Sequence, residues 1–244
     1  MTETTHDAFL GGKLHLLQPK RGYRAGVDPV LLAAAVPARS GQSVLDLGCG
    51  VGAAALCLGA RVAGLDLTGV ERNPIYAELA HRNGLPVVEA DLAALPPELR
   101  NRSFDHVIAN PPYFDRGRST ASEEQSREDA LGIDTPLDVW VDVAARRLKP
   151  KGYFHMIHRA EALPDLLRLT SARLGSVEVL PLVPRAERDA ELIILRARKE
   201  GRAKFRLVSP VVLHSGMHHF RDADDYTPLI SMVLRNGAPL WPQK

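Results

Sequence analysis

Apolar residues in this chain gather in short runs, separated by polar turns and by segments with helix-forming composition. Runs of four to eight residues bounded by turn signals suit buried strands. Residues 43–47, 67–71, 85–89, 104–109 and 153–157 are such runs and predict five strands. Helices are predicted over residues 53–58, over a segment opened by Asn73-Pro74 that carries Tyr76, Ala77, Leu79 and Ala80, and over residues 137–148 and 163–174. Pro74 and Pro164 fall in first turns, where a missing N–H costs nothing. This alternation predicts an α/β fold with a mainly parallel sheet and helices on both faces. The pattern then changes. Residues 177–183 and 191–197 read as two strands without a helix between them, an antiparallel pair at one edge. The polar, charged segment 114–134 is a long loop, consistent with either a substrate-covering loop or a solvated one.

Composition narrows the class. With 244 residues, 45% of them hydrophobic and 25% charged, the chain suits a single soluble α/β domain. Residues 41–244 are expected to form that domain, preceded by a segment over residues 1–40. No apolar run is long enough to span a membrane. The polar start has no apolar core of a secretory signal, so a cytoplasmic location is expected. Cys49 and Cys57 lie in no CxxC pair, and His214, His218 and His219 have no carboxylate or thiol spacing around them. No metal site is therefore expected. The formal net charge of +2 does not by itself call for nucleic acid, but allows it where basic residues cluster.

The strand at 104–109 ends in Asn110-Pro111-Pro112-Tyr113. Proline fixes φ, donates no hydrogen bond and pushes the residue before it into an extended conformation. Asn110 is thus held at a strand's carboxyl end with its amide available, and Tyr113 follows as an aromatic face. An arylamine is a poor nucleophile because its lone pair is delocalised into the ring. The Asn110 side-chain oxygen and the Pro111 carbonyl can hold the two amino hydrogens and free that lone pair, which is catalysis by positioning and electrostatics. Tyr113 can stack on a base turned out of its neighbours.

The strand at 43–47 carries Asp46 and runs into Gly48-Cys49-Gly50-Val51-Gly52 before a helix. Glycines allow a tight turn and a close backbone approach, and a helix start offers free N–H groups. Glu71, at the end of the next strand, is spaced to reach a ribose diol. Asp91, after the third strand, can accept from an exocyclic amine. A pyrophosphate would be repelled by Asp46, whereas an ammonium group would be received by it. This disfavours a nicotinamide-binding protein. Solvated strand-end charges are the plain alternative for Glu71 and Asp91.

Together, Asp46-x-Gly48-x-Gly50, Glu71, Asp91 and Asn110-Pro111-Pro112-Tyr113 resemble the class I S-adenosylmethionine-dependent methyltransferases. The resemblance implies a Rossmann-like, mostly parallel seven-stranded sheet with an antiparallel edge strand. It also implies S-adenosylmethionine bound near Asp46, Gly48, Gly50, Glu71, Asp91 and Asn110, and transfer to an exocyclic or amide nitrogen. Residues 23–33, with Gly26-x-Asp28-x-x-Leu31-Leu32, resemble the bacterial tRNA1(Val) adenine-37 N6-methyltransferase family. That likeness implies a tRNA partner, no membrane and no metal, with Gly26 and Asp28 helping the N-terminal segment to cap the cofactor site. A plain helix cap is the other account of Asp28. Arg116 and Arg118 are candidate substrate contacts. The run Arg196, Arg198, Lys199, Arg202, Lys204, Arg206 either tracks phosphates or forms a solvated hairpin. Release-factor glutamine methylation uses the same four-residue motif, but normally with a helical domain ahead of it. Guanine N2 methylation of ribosomal RNA and a cofactor-binding module without catalysis remain as further alternatives.

Overall fold

The computed structural model describes residues 3–113, 135–216 and 225–241. Segment 114–134, with Arg116 and Arg118, lies outside them, as do His218 and His219. The elements in chain order begin with a hairpin, β1 (Thr4–Phe9) and β2 (Leu14–Pro19), then α1 (Asp28–Ala35), β3 (Ser43–Leu47), α2 (Ala53–Arg61) and β4 (Asp66–Glu71). There follow α3 (Pro74–Arg82), β5 (Val87–Glu89), the short α4 (Pro97–Arg100) and β6 (Phe104–Ala109). The second half holds α5 (Leu137–Arg147), β7 (Leu148–Arg159), α6 (Leu163–Ser171), β8 (Gly175–Val183) and β9 (Leu192–Arg198). The short β10 (Arg206–Leu207) and β11 (Val211–Val212) precede α7 (Pro228–Asn236).

The main sheet runs β5-β4-β3-β6-β7-β9-β8, and β10 and β11 both pair with β8. The strands from β5 to β7 pair in parallel, while β9 is antiparallel to β7 and β8 on either side. The β8–β9 connection lacks a crossover helix, so the chain must return antiparallel. The antiparallel strand therefore lies one place in from β8. Side chains alternate across the sheet with the strand period of two. Val44, Ile108, Leu180 and Ile194 join one core with α1, α2 and α7. Leu45, Val107, Val179 and Leu195 join the other with α5 and α6. Residues 149–152 form a break in register within β7, whose pairing with β6 jumps from Leu148 to Tyr153.

The hairpin is invisible in the hydrophobic pattern because polar residues fill it and its burial comes from contacts distant in sequence. Leu16 is fully buried against Val51, Ala53 and Leu79. The Asn83 side chain accepts from Leu17 N–H at 2.8 Å and donates to Leu17 O at 3.1 Å and Val51 O at 3.0 Å. One amide thus ties hairpin, α3 and glycine turn together. The Gln18 side chain accepts from Ala25 N–H at 2.7 Å and donates to Asp7 at 2.7 Å, which also takes Arg24 at 2.5 Å. These bonds lay residues 20–28 over the carboxyl edge of the sheet.

Candidate active site at the carboxyl edge

β3 and β6 are neighbours, with Leu47 opposite Ala109, so the glycine turn and Asn110 leave the sheet side by side. Gly48, Gly50 and Gly52 all have positive φ, at 60°, 55° and 88°. Only glycine adopts these angles without strain. A Cβ at Gly48 would stand 2.4 Å from Cη2 of Trp140, whereas one at Gly50 would meet open space. The turn is thus packed from below by α5 and bare above Gly50, leaving a cradle for a ligand.

Asp46 lies beneath this turn, only 2% exposed, and accepts from Ala55 N–H at 3.2 Å. It therefore satisfies one of the free donors in the first turn of α2. Burial lifts its pKa from 3.8 to about 8, and the Glu71 charge adds to the rise. Glu71 accepts from Gly50 N–H at 2.9 Å and from Asn73 N–H at 2.8 Å. Each carboxylate oxygen keeps a lone pair for a further donor such as a ribose hydroxyl. Asp91 caps the turn at Leu92–Ala94 by accepting from Ala93 N–H at 2.8 Å, and it pairs with Arg72 at 3.5 Å. Gly26 is exposed and has open space at its Cβ position.

Asn110 is half-buried and sits at the centre of a polar cluster. The Tyr113 hydroxyl lies 2.8 Å from Asp28 Oδ2 and 3.3 Å from Asn110 Oδ1. It has one hydrogen to give, and the shorter contact to a carboxylate is the stronger. Asp28 opens α1 but makes no side-chain cap there; its carboxylate faces Tyr113 instead. Burial and the Asp28 charge raise the Tyr113 pKa far above the ordinary phenol value. Tyr23 is 54% exposed overall, but its hydroxyl reaches the Asn110 side chain. Burial of that end, then the Asp28 charge, push its pKa up to about 12. Both phenols therefore remain donors at neutral pH. His158 meets the Tyr113 ring edge-on at 5.2 Å, and burial lowers its pKa, so its imidazole is neutral there. Arg159 Cζ stands 5.7 Å from the same ring centroid, within cation–π range.

Sequence reasoning assigned no role to Tyr23, Trp140, His158 or Arg159. Tyr23 adjoins the Gly26-x-Asp28 segment, which was a usable signal. His158 and Arg159 reach the site only through the pairing of β7 with β6, which no local pattern carries. Among the described residues, no group of three or more His, Cys, Asp or Glu is placed to hold a metal ion. None of the helices among them is long and apolar enough to cross a membrane.

A parallel sheet that brings a bare glycine cradle, a ribose-spaced glutamate and an amide acceptor to one edge suits a nucleoside-bearing methyl donor. The class so defined is that of the S-adenosylmethionine-dependent methyltransferases. The methyltransferase small domain model matches residues 25–179, and the chain belongs to that family. It is 31% identical over 202 residues to a tRNA1(Val) (adenine(37)-N6)-methyltransferase of Porphyromonas gingivalis, covering 72% of this chain and 76% of that protein. An enzyme of the same name from Dickeya chrysanthemi is 28% identical over 195 residues, covering 76% of this chain and 77% of the other. Among solved structures, a predicted O-methyltransferase from Agrobacterium tumefaciens superposes with a TM-score of 0.71 at 25% identity, covering 89% of this chain and all of the other. The Thermus thermophilus 16S rRNA N2 G1207 methyltransferase shares the fold, with a TM-score of 0.52 at 24% identity, over 81% of this chain and half of that one.

Proposed function

We propose that this protein methylates the exocyclic N6 amino group of an adenine in tRNA, at adenosine 37 of tRNA1(Val), in the cytoplasm. The observation that carries the chemistry is Asn110, held at the end of β6 beside the glycine turn and surrounded by Tyr23, Tyr113 and Asp28. The tRNA and the nucleotide rest on the relatives' names and on the Gly26-x-Asp28 segment.

The residues divide the work as follows. Bound S-adenosylmethionine supplies an electrophilic methyl group. Glu71 would accept from the ribose, the glycine turn, held from below by Asp46, would take the amino acid portion, and Asp91 would face the adenine of the cofactor. Asn110 Oδ1 and the Pro111 carbonyl accept from the two hydrogens of the target amine and aim its lone pair. They also stabilise the positive charge that grows on nitrogen during transfer. The proton can leave afterwards, so no strong base is required. Tyr113, anchored through its hydroxyl, offers a ring to the target base, while Arg116 and Arg118, three and five positions further along the chain, supply positive charge for RNA. The N-terminal segment closes over this arrangement through Tyr23 and Asp28.

The test is incubation with labelled S-adenosylmethionine and, separately, total tRNA, ribosomal RNA and release factors, with mass spectrometry of the digested products. Label on N6 of adenosine in tRNA is expected, and label confined to protein would overturn the substrate assignment. Asn110→Ala should abolish transfer while leaving cofactor binding by calorimetry nearly intact; unchanged turnover would sink the mechanism.

A further inference from the structure

The opposite, amino edge of the sheet carries a second site. A cavity of about 730 Å3 opens there, between the ends of α1 and α2, the starts of β7 and β8, and the end of β9. Arg39, Arg61, Arg196, Arg198 and Arg206 line it, with Glu178 the one carboxylate among its lining residues. Glu178 is fully engaged: it accepts from Arg196 Nε at 2.9 Å and Nη2, and from Arg206 Nη1 at 2.8 Å. The other three guanidinium groups have no carboxylate partner among the described residues. Arg61 donates to the carbonyls of Ala33 and Val36 at the end of α1, and its buried Nε has no partner among the described residues. Among the described residues, Arg198 donates only to Lys151 O, at 3.1 Å, and the Arg39 side chain makes no hydrogen bond or ion pair. Like charges gathered in a concave site with low-dielectric walls focus a positive potential. The Arg196 and Arg61 charges extend to the buried His106 and His155 behind Tyr153, where they add to the burial that keeps both imidazoles neutral.

The chemistry of the walls selects the ligand. Arg196 covers the Trp241 ring at 4.1 Å and Arg198 covers Tyr153 at 5.3 Å, so the aromatic faces inside are taken. What remains are guanidinium edges, which match phosphate oxygens. The rim extends the charge outward. Arg202 and Lys204 are exposed, and Phe205 beside them is 51% exposed. A cavity for phosphate that continues into a basic rim with an open aromatic side chain matches an extended polyanion carrying bases, better than a small anion.

We propose that this cavity and its rim are a second RNA-contact surface, gripping backbone phosphates of the substrate while Phe205 stacks on an unpaired base. It lies one strand length, about 20 Å, from Asn110. The inference rests on the tRNA substrate proposed above. It explains how a chain with little net charge holds RNA: one cluster of basic residues stands at a place removed from the chemistry.

The test uses the full chain, bulk tRNA and a salt titration of binding by fluorescence anisotropy. Arg39→Gln/Arg198→Gln should weaken tRNA binding about tenfold and reduce the log Kd against log salt slope by about 1.4–1.8, since each phosphate contact contributes about 0.7–0.9. Arg202→Gln/Lys204→Gln, confined to exposed side chains, should reduce it similarly, and Phe205→Ala should raise KM for tRNA several-fold. Cofactor affinity and Tm, measured in parallel, should stay at wild-type values. A wild type that methylates tRNA, with variants of unchanged slope and affinity, overturns this inference alone. A wild type that methylates no tRNA overturns the substrate assignment and this inference with it. Tight binding of ATP that Arg39→Gln/Arg198→Gln abolishes, without change in tRNA affinity, makes the cavity a small-nucleotide site and also overturns the inference.

Discussion

Asn110 has its position because two prolines follow it, and its surroundings because residues more than eighty positions earlier fold back onto it. The bond from Tyr113 to Asp28 is the clearest consequence. A tyrosine whose hydroxyl is anchored presents its ring at a fixed angle, and fixed geometry is where orientation effects on rate arise. Tyr113→Phe keeps the ring and loses the anchor, and Asp28→Asn weakens the same bond. Each is expected to lower kcat/KM about tenfold, and the double variant should do little more than either alone, because both remove one interaction. Steady-state kinetics on the four proteins measure this; fully additive losses would show that Asp28 acts elsewhere. The Asn-Pro-Pro-Tyr run was legible in the sequence because proline constrains its own neighbours. The partner of Tyr113 was not, because that contact spans 85 positions and depends on where α1 packs.

At the scale of elements, the parallel strands could be read because each is a local apolar run, and β6 was predicted over the residues it occupies. The amino-terminal hairpin could not, since its apolar contacts are made by tertiary packing alone. The glycine turn shows both sides of this division. That three glycines make a turn is visible in the sequence; that Gly48 must be bare because Trp140 of α5 presses against it is not. Gly48→Ala combines a left-handed backbone with a clash, so it should destabilise the protein by about 2–4 kcal/mol. Denaturant unfolding would report the loss, and Trp140→Leu in the same chain should recover the part due to the clash. A Gly48→Ala protein of wild-type stability would mean that α5 gives way freely.

At the scale of the whole molecule, burying Asp46 under the turn links stability to pH. Below pH ~4 the carboxyl is protonated in both the folded and unfolded chain. Above that, the unfolded chain ionises while the folded one keeps its proton up to about pH 8, so this group's contribution falls as pH rises through that window and is level beyond it. Each unit of the shift is worth ~1.4 kcal/mol. Asp46→Asn keeps an acceptor for Ala55 N–H and removes the titration. The ligand-free variant should therefore match wild type near pH 4 and exceed it by several degrees in Tm at pH 8; equal Tm values at pH 8 would show that the carboxylate ionises in place without cost. By itself, the sequence determined the class of fold, the strands from β3 to β9 and the turn chemistry at the two motifs, because these follow from periodicity and from the backbone limits of proline and glycine. Only the tertiary structure decided which side chains meet at each edge of the sheet. Strand order and the register of β7 and β9 bring together residues that no local pattern links, at the carboxyl edge around Asn110 and at the amino edge around Glu178.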